Sequence, residues 1–95
     1  MSKYVVRVEL HGVTSNSALF LLLHQEMQKR GFTRTILSSE GMLYALPTAE
    51  YNYEGEMTGE EVRSAAKAAA ALTGRPASIL VTEAKARWWS GLQEA

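Results

Sequence analysis

The chain has 95 residues, the size of one ordinary domain, and can bury a core without a disulfide or a metal. It contains no cysteine, which excludes a disulfide framework, a thiolate zinc site and a cysteine nucleophile. Ten basic residues balance ten glutamates, so the formal net charge is zero, which argues against a strongly basic nucleic-acid module. We therefore expect a single domain over residues 1–95.

Neither a secretion signal nor a membrane span is predicted. The first residues contain no apolar segment before Arg7. The longest apolar run, residues 18–23, is far shorter than the roughly 20 residues that cross a bilayer. We expect a cytoplasmic protein with no membrane association.

The first strand and the first helix are the clearest predicted elements. Residues 4–10 alternate, with Val6, Val8 and Leu10 on one side, which is the period of a half-buried strand. The following helix runs to about Arg30, and Gly31 ends it. Its candidate N-caps are Ser15, Asn16 and Ser17, and its apolar stripe contains Leu19, Phe20, Leu23 and Met27.

The middle of the chain predicts two further strands. Residues 33–38 read as the second strand, and residues 39–41 as a turn. Residues 42–47 are expected to be an extended loop or edge segment, because Pro47 cannot donate to a central ladder. Tyrosines alternate with polar residues from 51 to 57, which predicts the third strand.

A capping box predicts where the second helix begins. Thr58 and Glu61 have the required spacing before an apolar-periodic run, and Gly74 followed by Pro76 ends the helix. Its expected buried stripe contains Val62, Ala65, Ala66, Ala69 and Leu72. Residues 77–82 predict a short fourth strand, and residues 84–93 one or two helical turns in a C-terminal tail.

The order of these elements, βαββαβ with a short tail, predicts an α+β ferredoxin-like fold. In that fold a four-stranded antiparallel sheet carries both helices on one face. We call the other side of the sheet the open face. Strand alternation assigns to it Arg7, Glu9, Arg34, Asn52 and Glu54, with Ile36 in matching parity. Such a face could be solvated and ion-paired, a subunit interface or a nucleic-acid surface, although it lacks the aromatic residues on which RNA bases stack.

Two histidines are candidates for proton transfer. His11 follows the first strand beside Glu9, and a histidine near a carboxylate can act as an acid or a base. His24 lies near the edge of the apolar stripe, where it could equally be a partly buried structural residue. The histidines and glutamates lack metal-ligand spacing, so neither a metal site nor a cofactor is expected.

A basic and aromatic cluster lies near the C-terminus, with Lys85, Arg87, Trp88 and Trp89. It could stack on single-stranded RNA, anchor a partner subunit or pack on the core of its own domain. Adjacent tryptophans cannot both face inward, so one of them is expected at the surface or on a partner. Leu21 or Leu22 on the first helix is also expected to be exposed.

Core positions and turns along most of the chain carry a resemblance to a known family. The matching residues are Tyr4, Val5, Val6, Glu9, Ser17, Phe20, Leu21, Leu23, Met27, Phe32, Gly41, Leu46, Glu61, Val62 and Thr82. In these positions the chain resembles the GhoS endoribonuclease antitoxins, small ferredoxin-like proteins related in fold to the CRISPR-associated Cas-two and VapD nucleases. The resemblance implies binding and cleavage of a toxin's messenger RNA without an evident metal centre. It places Glu9 at the acidic end of the first strand and His24 where the family has a basic residue.

Two functional hypotheses follow. In the first, the protein binds single-stranded RNA and cleaves it as a metal-independent endoribonuclease antitoxin. Phosphates would be held by Arg7, Lys29, Arg30 and Arg34, and protons moved by Glu9 with His11 or His24. In the second, the chain is a noncatalytic module that dimerises through its open face or through Trp88 and Trp89. We expect a homodimer under the first hypothesis too, and no small-molecule cofactor under either.

Overall fold

A computed structural model of the protein describes residues 1–14 and 17–95. Two of the predicted N-cap residues, Ser15 and Asn16, lie outside the described residues. The elements in chain order are β1 (Ser2–Leu10), α1 (Ala18–Lys29), β2 (Thr35–Leu37), β3 (Leu43–Ala45), β4 (Glu50–Gly55), α2 (Gly59–Ala71) and β5 (Ala77–Glu83).

The strands form two antiparallel sheets. One sheet has three strands in the order β4–β1–β5, and the other pairs β2 with β3. A bridge links them, since the backbone N–H groups of Thr33 and Asn52 each donate to the other residue's carbonyl oxygen at 2.8 Å. The α+β class, with two helices and antiparallel pairing, is therefore confirmed. The expected single four-stranded sheet is not formed as such, because its strands are divided between these two sheets.

The division of the sheet follows from a shortened second strand. The predicted strand over residues 33–38 is reduced to β2, because the chain bends at Arg34 between the Thr33 bridge and Thr35. The segment expected as a loop or edge piece then becomes β3, which pairs Tyr44 with Ile36. Gly41 supplies the positive φ of +87° that the intervening turn requires.

The core lies between the three-stranded sheet and both helices. Val6 and Val8 of β1 are fully buried, and Val6 lies opposite Tyr51 of β4. They form one cluster with side chains from both helices: Phe20, Leu23 and Met27 from α1, and Val62, Ala66 and Ala69 from α2. Alanines let α2 approach the sheet closely. The predicted inward side of the first strand, and the placement of both helices on that side, are confirmed.

The helix ends largely follow the sequence. Ser17 Oγ accepts from Leu19 N at 3.1 Å, which caps α1, and Thr58 with Glu61 forms the predicted capping box of α2. Leu72, expected in the buried stripe, is 55% exposed because it follows the last helical residue, and the inward position is taken by Ala70. Within the described residues, neither helix, at 12 and 13 residues, is long and apolar enough to cross a membrane.

The C-terminal segment, residues 84–95, has an irregular backbone and contains no helix. Its end runs beside β3, where Ala45 N donates to the carbonyl oxygen of Gln93 at 2.8 Å, and Ala95 N to that of Leu43 at 3.0 Å. The prediction of helical turns here is wrong, because these backbone groups bond to a neighbouring strand instead of to one another. We call this segment the tail.

Candidate functional site

Arg7 and Glu9 lie on the open face of β1, as predicted. Their side chains are exposed on the side of the strand opposite Val6 and Val8. Arg7 Nη2 donates to Glu9 Oε1 at 3.3 Å, and Arg7 Nη1 donates to Glu50 Oε2 at 3.4 Å. Glu50 is the register partner of Arg7 on β4, so a carboxylate from each of two strands orients this guanidinium.

His11 is held at the same end of the open face. Its Nε2 lies 2.7 Å from the hydroxyl of Ser78, which is the register partner of Glu9 on β5. The carbonyl oxygen of His11 accepts hydrogen bonds from Arg75 Nε at 3.1 Å and Arg75 Nη2 at 2.8 Å. Both the side chain and the backbone of His11 are thereby fixed, although no part of the sequence pattern pointed to Arg75 or Ser78.

Arg7, Glu9 and His11 line one cleft of about 410 Å³. Val13 and Phe20 contribute apolar atoms to its wall. The structure thus brings together three of the predicted site residues: a guanidinium, a carboxylate and an imidazole. We call these three residues the β1 cluster.

His24 belongs to a different environment. Its Nδ1 lies 2.5 Å from the Tyr51 hydroxyl, and Arg34 Nη1 lies 3.2 Å from its Nε2. Because a guanidinium can only donate, Nε2 accepts, and Nδ1–H donates to Tyr51. Burial and the Arg34 charge lower the pKa of His24 to about 4, so the ring is neutral near pH 7.

The sheet separates His24 from the β1 cluster. Tyr51 is fully buried on the helix-facing side of β4, and the same burial raises the pKa of its hydroxyl. Glu9 projects from the other side of the sheet. The structure therefore does not bring His24 together with the two other predicted catalytic residues.

Arg34 does not lie on the open face. Besides contacting His24, its Nη2 donates to the Leu46 carbonyl at 2.8 Å, and its Cζ lies 5.9 Å from the centre of the Tyr51 ring. The prediction is wrong because the bend at Arg34 interrupts the strand alternation on which it depended. Ile36 is not exposed on the open face either. It is 3% exposed and pairs with Tyr44, whose ring contacts Trp89 of the tail.

The two other predicted phosphate ligands are already paired. Lys29 Nζ lies 2.9 Å from Glu26 Oε2, and Arg30 Nη1 lies 3.0 Å from Glu26 Oε1. Hydrogen bonds from Lys29, and then from Arg30, lower the pKa of the Glu26 carboxyl. The two cations share this one carboxylate, so one of their two positive charges is balanced by Glu26.

The tail covers the β4 end of the open face. Arg87 donates to Asn52 Oδ1, and its Nη2 lies 3.6 Å from Glu54 Oε2. Asn52 is consequently only 7% exposed, so the prediction that this part of the face is open is wrong. Trp89 packs on Tyr44 with ring centres 5.7 Å apart, whereas Trp88 is 88% exposed. The expectation that the two tryptophans cannot both face inward is confirmed.

The site offers no evident place for a metal. Within residues 1–14 and 17–95, His and Glu side chains form no group of three that could hold one. No protein-family model matches this chain, and no curated protein matches it. The resemblance to the GhoS family therefore remains a prediction, and the residues of the site carry the functional inference.

A second cleft, of about 420 Å³, separates the tail from β2 and β3. Lys3 and Lys85 line it together with Trp88, Ser38 and Ser39. In the part of the chain that the structure describes, neither lysine forms an ion pair. We call this cleft the tail groove. Lys3 was missed although it has the same strand parity as Arg7, which would have assigned it to the open face.

Proposed function

We propose that the protein binds single-stranded RNA and cleaves it without a metal, and that the reaction takes place at the β1 cluster. The observation that supports this proposal is the shared cleft of Arg7, Glu9 and His11. Cleavage next to a 2′-hydroxyl requires a base, an acid and a positive group near the phosphate. The three residues have these three chemistries.

In the proposed reaction Glu9 is the general base and His11 the general acid. The Glu9 carboxylate takes the proton of the 2′-hydroxyl, and the 2′-oxygen attacks the adjacent phosphorus. The bond from phosphorus to the 5′-oxygen breaks, and the imidazolium of His11 gives its proton to that oxygen. The products are a 2′,3′-cyclic phosphate and a 5′-hydroxyl. Arg7 stabilises the negative charge that develops on the phosphoryl oxygens.

The same three side chains need partial rearrangement to accept a phosphate. Arg7 is bonded to Glu9 and Glu50 in the free protein. Exposed ion pairs of this kind contribute about 1 kcal/mol or less, so a phosphate can replace one of the carboxylates at Arg7. Release of Glu9 from Arg7 would also free its oxygen to act as a base.

The tail groove is the proposed entry for the RNA strand. Its two lysines have no ion-pair partner among the described residues, and the exposed Trp88 indole can stack on a base. Lys3 and Glu9 lie on the same side of β1, six residues and therefore roughly 20 Å apart. An extended strand of RNA could contact both ends of β1.

We also propose that the fold is a divided ferredoxin-like fold of the GhoS kind, acting in the cytoplasm. The Thr33–Asn52 bridge places the start of the β2 segment beside β4, which gives the spatial order β2–β4–β1–β5. This is the strand order of a ferredoxin-like sheet, with β3 as an added strand beside β2. The order supports the resemblance to GhoS at the level of topology.

The decisive experiment is cleavage of a labelled single-stranded RNA in excess EDTA by the wild-type protein and by Glu9→Gln and His11→Gln. We expect each substitution to lower the rate by about 100-fold or more. Glu60→Gln is the matched control, because Glu60 is an exposed glutamate in the first turn of α2. Absence of wild-type cleavage, or equal rates for all four proteins, would reject catalysis at this cluster.

A noncatalytic interaction module is the second candidate. It is favoured by the pairing of Arg7, Lys29 and Arg30 with carboxylates, and by an exposed tryptophan that binds no other part of the described chain. Under this function the wild-type protein would not bind RNA even at low salt, where phosphate contacts are strongest. Trp88→Ala would instead weaken self-association, which sedimentation measures.

A further inference from the structure

The outer edge of β5 (Ala77–Glu83) carries strand backbone that is not paired within the described chain. β5 bonds to β1 on one side, and the strand order β4–β1–β5 leaves its other side at the edge of the sheet. An exposed edge of this length is a template for pairing with another strand.

The hydrogen bonds at the two ends of β5 show which residues point outward. His11 N donates to the carbonyl oxygen of Pro76, and Ala84 N to that of Lys3, each at 2.8 Å. Bonding alternates along an antiparallel pair, so the even-numbered residues of β5 bond to β1. The odd-numbered residues direct their N–H and C=O groups away from the sheet: Ala77, Ile79, Val81 and Glu83.

The centre of this edge lacks the usual protection against pairing, and its one charged residue, Glu83, lies at the end of the strand. From Ala77 to Glu83 the strand contains no proline, lysine or arginine, and its register with β1 continues without a bulge. Leu80, at its centre, is 63% exposed on the open face. A leucine in the middle of an unprotected edge indicates a surface that another strand covers.

We propose that a second copy of this chain pairs there, β5 against β5 in antiparallel orientation, about a twofold axis through Leu80. In this register Ile79 lies opposite Val81 of the second copy, and both belong to the outward-bonding set. Ser78 lies opposite Thr82 of the second copy, and Leu80 opposite Leu80. Apolar residues thus meet apolar residues, and a hydroxyl meets a hydroxyl, which are favourable cross-strand pairs.

The pairing would join two three-stranded sheets into one of six strands with a common open face. Arg7 is the register partner of Leu80 on β1, so three strand spacings, roughly 14 Å, would separate the two Arg7 positions. The two β1 clusters would then lie on one continuous surface. The proposal of this dimer does not depend on the proposed cleavage of RNA.

Disulfide trapping tests the register. The chain has no cysteine, so Leu80→Cys introduces a single thiol. Directly opposed residues of a non-hydrogen-bonded pair have Cα atoms about 4.5 Å apart, which a disulfide can span. We expect Leu80→Cys to form a covalent dimer under mild oxidation. Thr82→Cys is the matched control, because in this register the two substituted positions would lie four residues apart along the paired strands. This variant should stay monomeric on non-reducing gel electrophoresis.

Sedimentation of uncrosslinked protein provides the second measurement. We expect the wild type to sediment as a dimer and Leu80→Lys, which places two charges at the axis, to sediment as a monomer. Leu21→Lys changes an equally exposed leucine of α1 and should leave the dimer intact. A monomeric wild type, equal trapping of Leu80→Cys and Thr82→Cys, or dissociation by Leu21→Lys but not by Leu80→Lys would overturn the proposal.

Discussion

Arg87 of the tail donates a hydrogen bond to the side-chain oxygen of Asn52, which lies on the far side of the sheet from the helices. This contact joins the tail to β4. It also determines how much of the open face is available, because Asn52 is buried beneath the tail while Arg7 and Glu9 are exposed.

Removal of the Arg87 guanidinium should release the tail. In Arg87→Met, Asn52 Oδ1 would be buried without this donor, which costs roughly 1–3 kcal/mol of unfolding free energy. Methionine keeps an apolar side chain of similar length, so the loss of unfolding free energy can be attributed to the guanidinium. Urea unfolding measures the change, and limited proteolysis should cut the tail faster. Arg63→Met, on an exposed part of α2, should leave both unchanged.

The two adjacent tryptophans should differ in their effect on stability. Trp89 is half-buried against Tyr44, whereas Trp88 is almost fully exposed. Trp89→Ala should lower the unfolding free energy by about 1–2 kcal/mol through lost apolar burial. Trp88→Ala should leave the melting temperature close to that of the wild type and weaken RNA binding instead. Equal melting temperatures for the two variants would contradict the packing described for Trp89.

The protein should lose stability as the pH falls from about 7 to about 5, in part because of His24. The pKa of His24 is about 4 in the folded chain and 6.5 as the ordinary value, so over this range the unfolded chain binds more protons. Proton uptake by the unfolded chain favours unfolding, so the free energy of unfolding begins to fall as the pH drops through about 6.5. Because the ring is only partly buried, we expect a contribution of about 1 kcal/mol.

A comparison with His24→Gln isolates this contribution. Glutamine does not titrate, so the variant should show a smaller change in urea midpoint between the two pH values than the wild type. Groups common to both proteins cancel in the difference. An identical pH dependence for wild type and variant would show that His24 does not titrate with a lowered pKa.

Local sequence signals predicted the elements whose structure is decided locally. The alternation of residues 4–10, the glycine that ends α1 and the Thr58–Glu61 capping box each act within a few neighbouring residues, and each is found in the structure. The positions of Arg7 and Glu9 on the open face followed from the alternation of residues 4–10. Their grouping with His11 followed as well, because all three are close in sequence.

Long-range contacts account for what the sequence did not predict. The position of the tail depends on hydrogen bonds to β3 and on the Arg87–Asn52 contact, neither of which leaves a local sequence pattern. Arg34 was assigned to the wrong side because one bent residue reverses strand parity. The carboxylate that pairs with both Lys29 and Arg30 lies on the same helix, at spacings of three and four residues. That pairing could have been found from the helical spacing alone.

The chemical ends of the cleaved RNA test the central claim most directly. A short single-stranded RNA would be incubated with the wild-type protein in excess EDTA, and its product ends identified by phosphorus NMR. Attack by the 2′-hydroxyl at the β1 cluster predicts a 2′,3′-cyclic phosphate and a 5′-hydroxyl, and an RNA with a deoxyribose at the cleaved position should remain intact. Products with a 5′-phosphate, or cleavage that requires an added divalent cation, would contradict the proposed function.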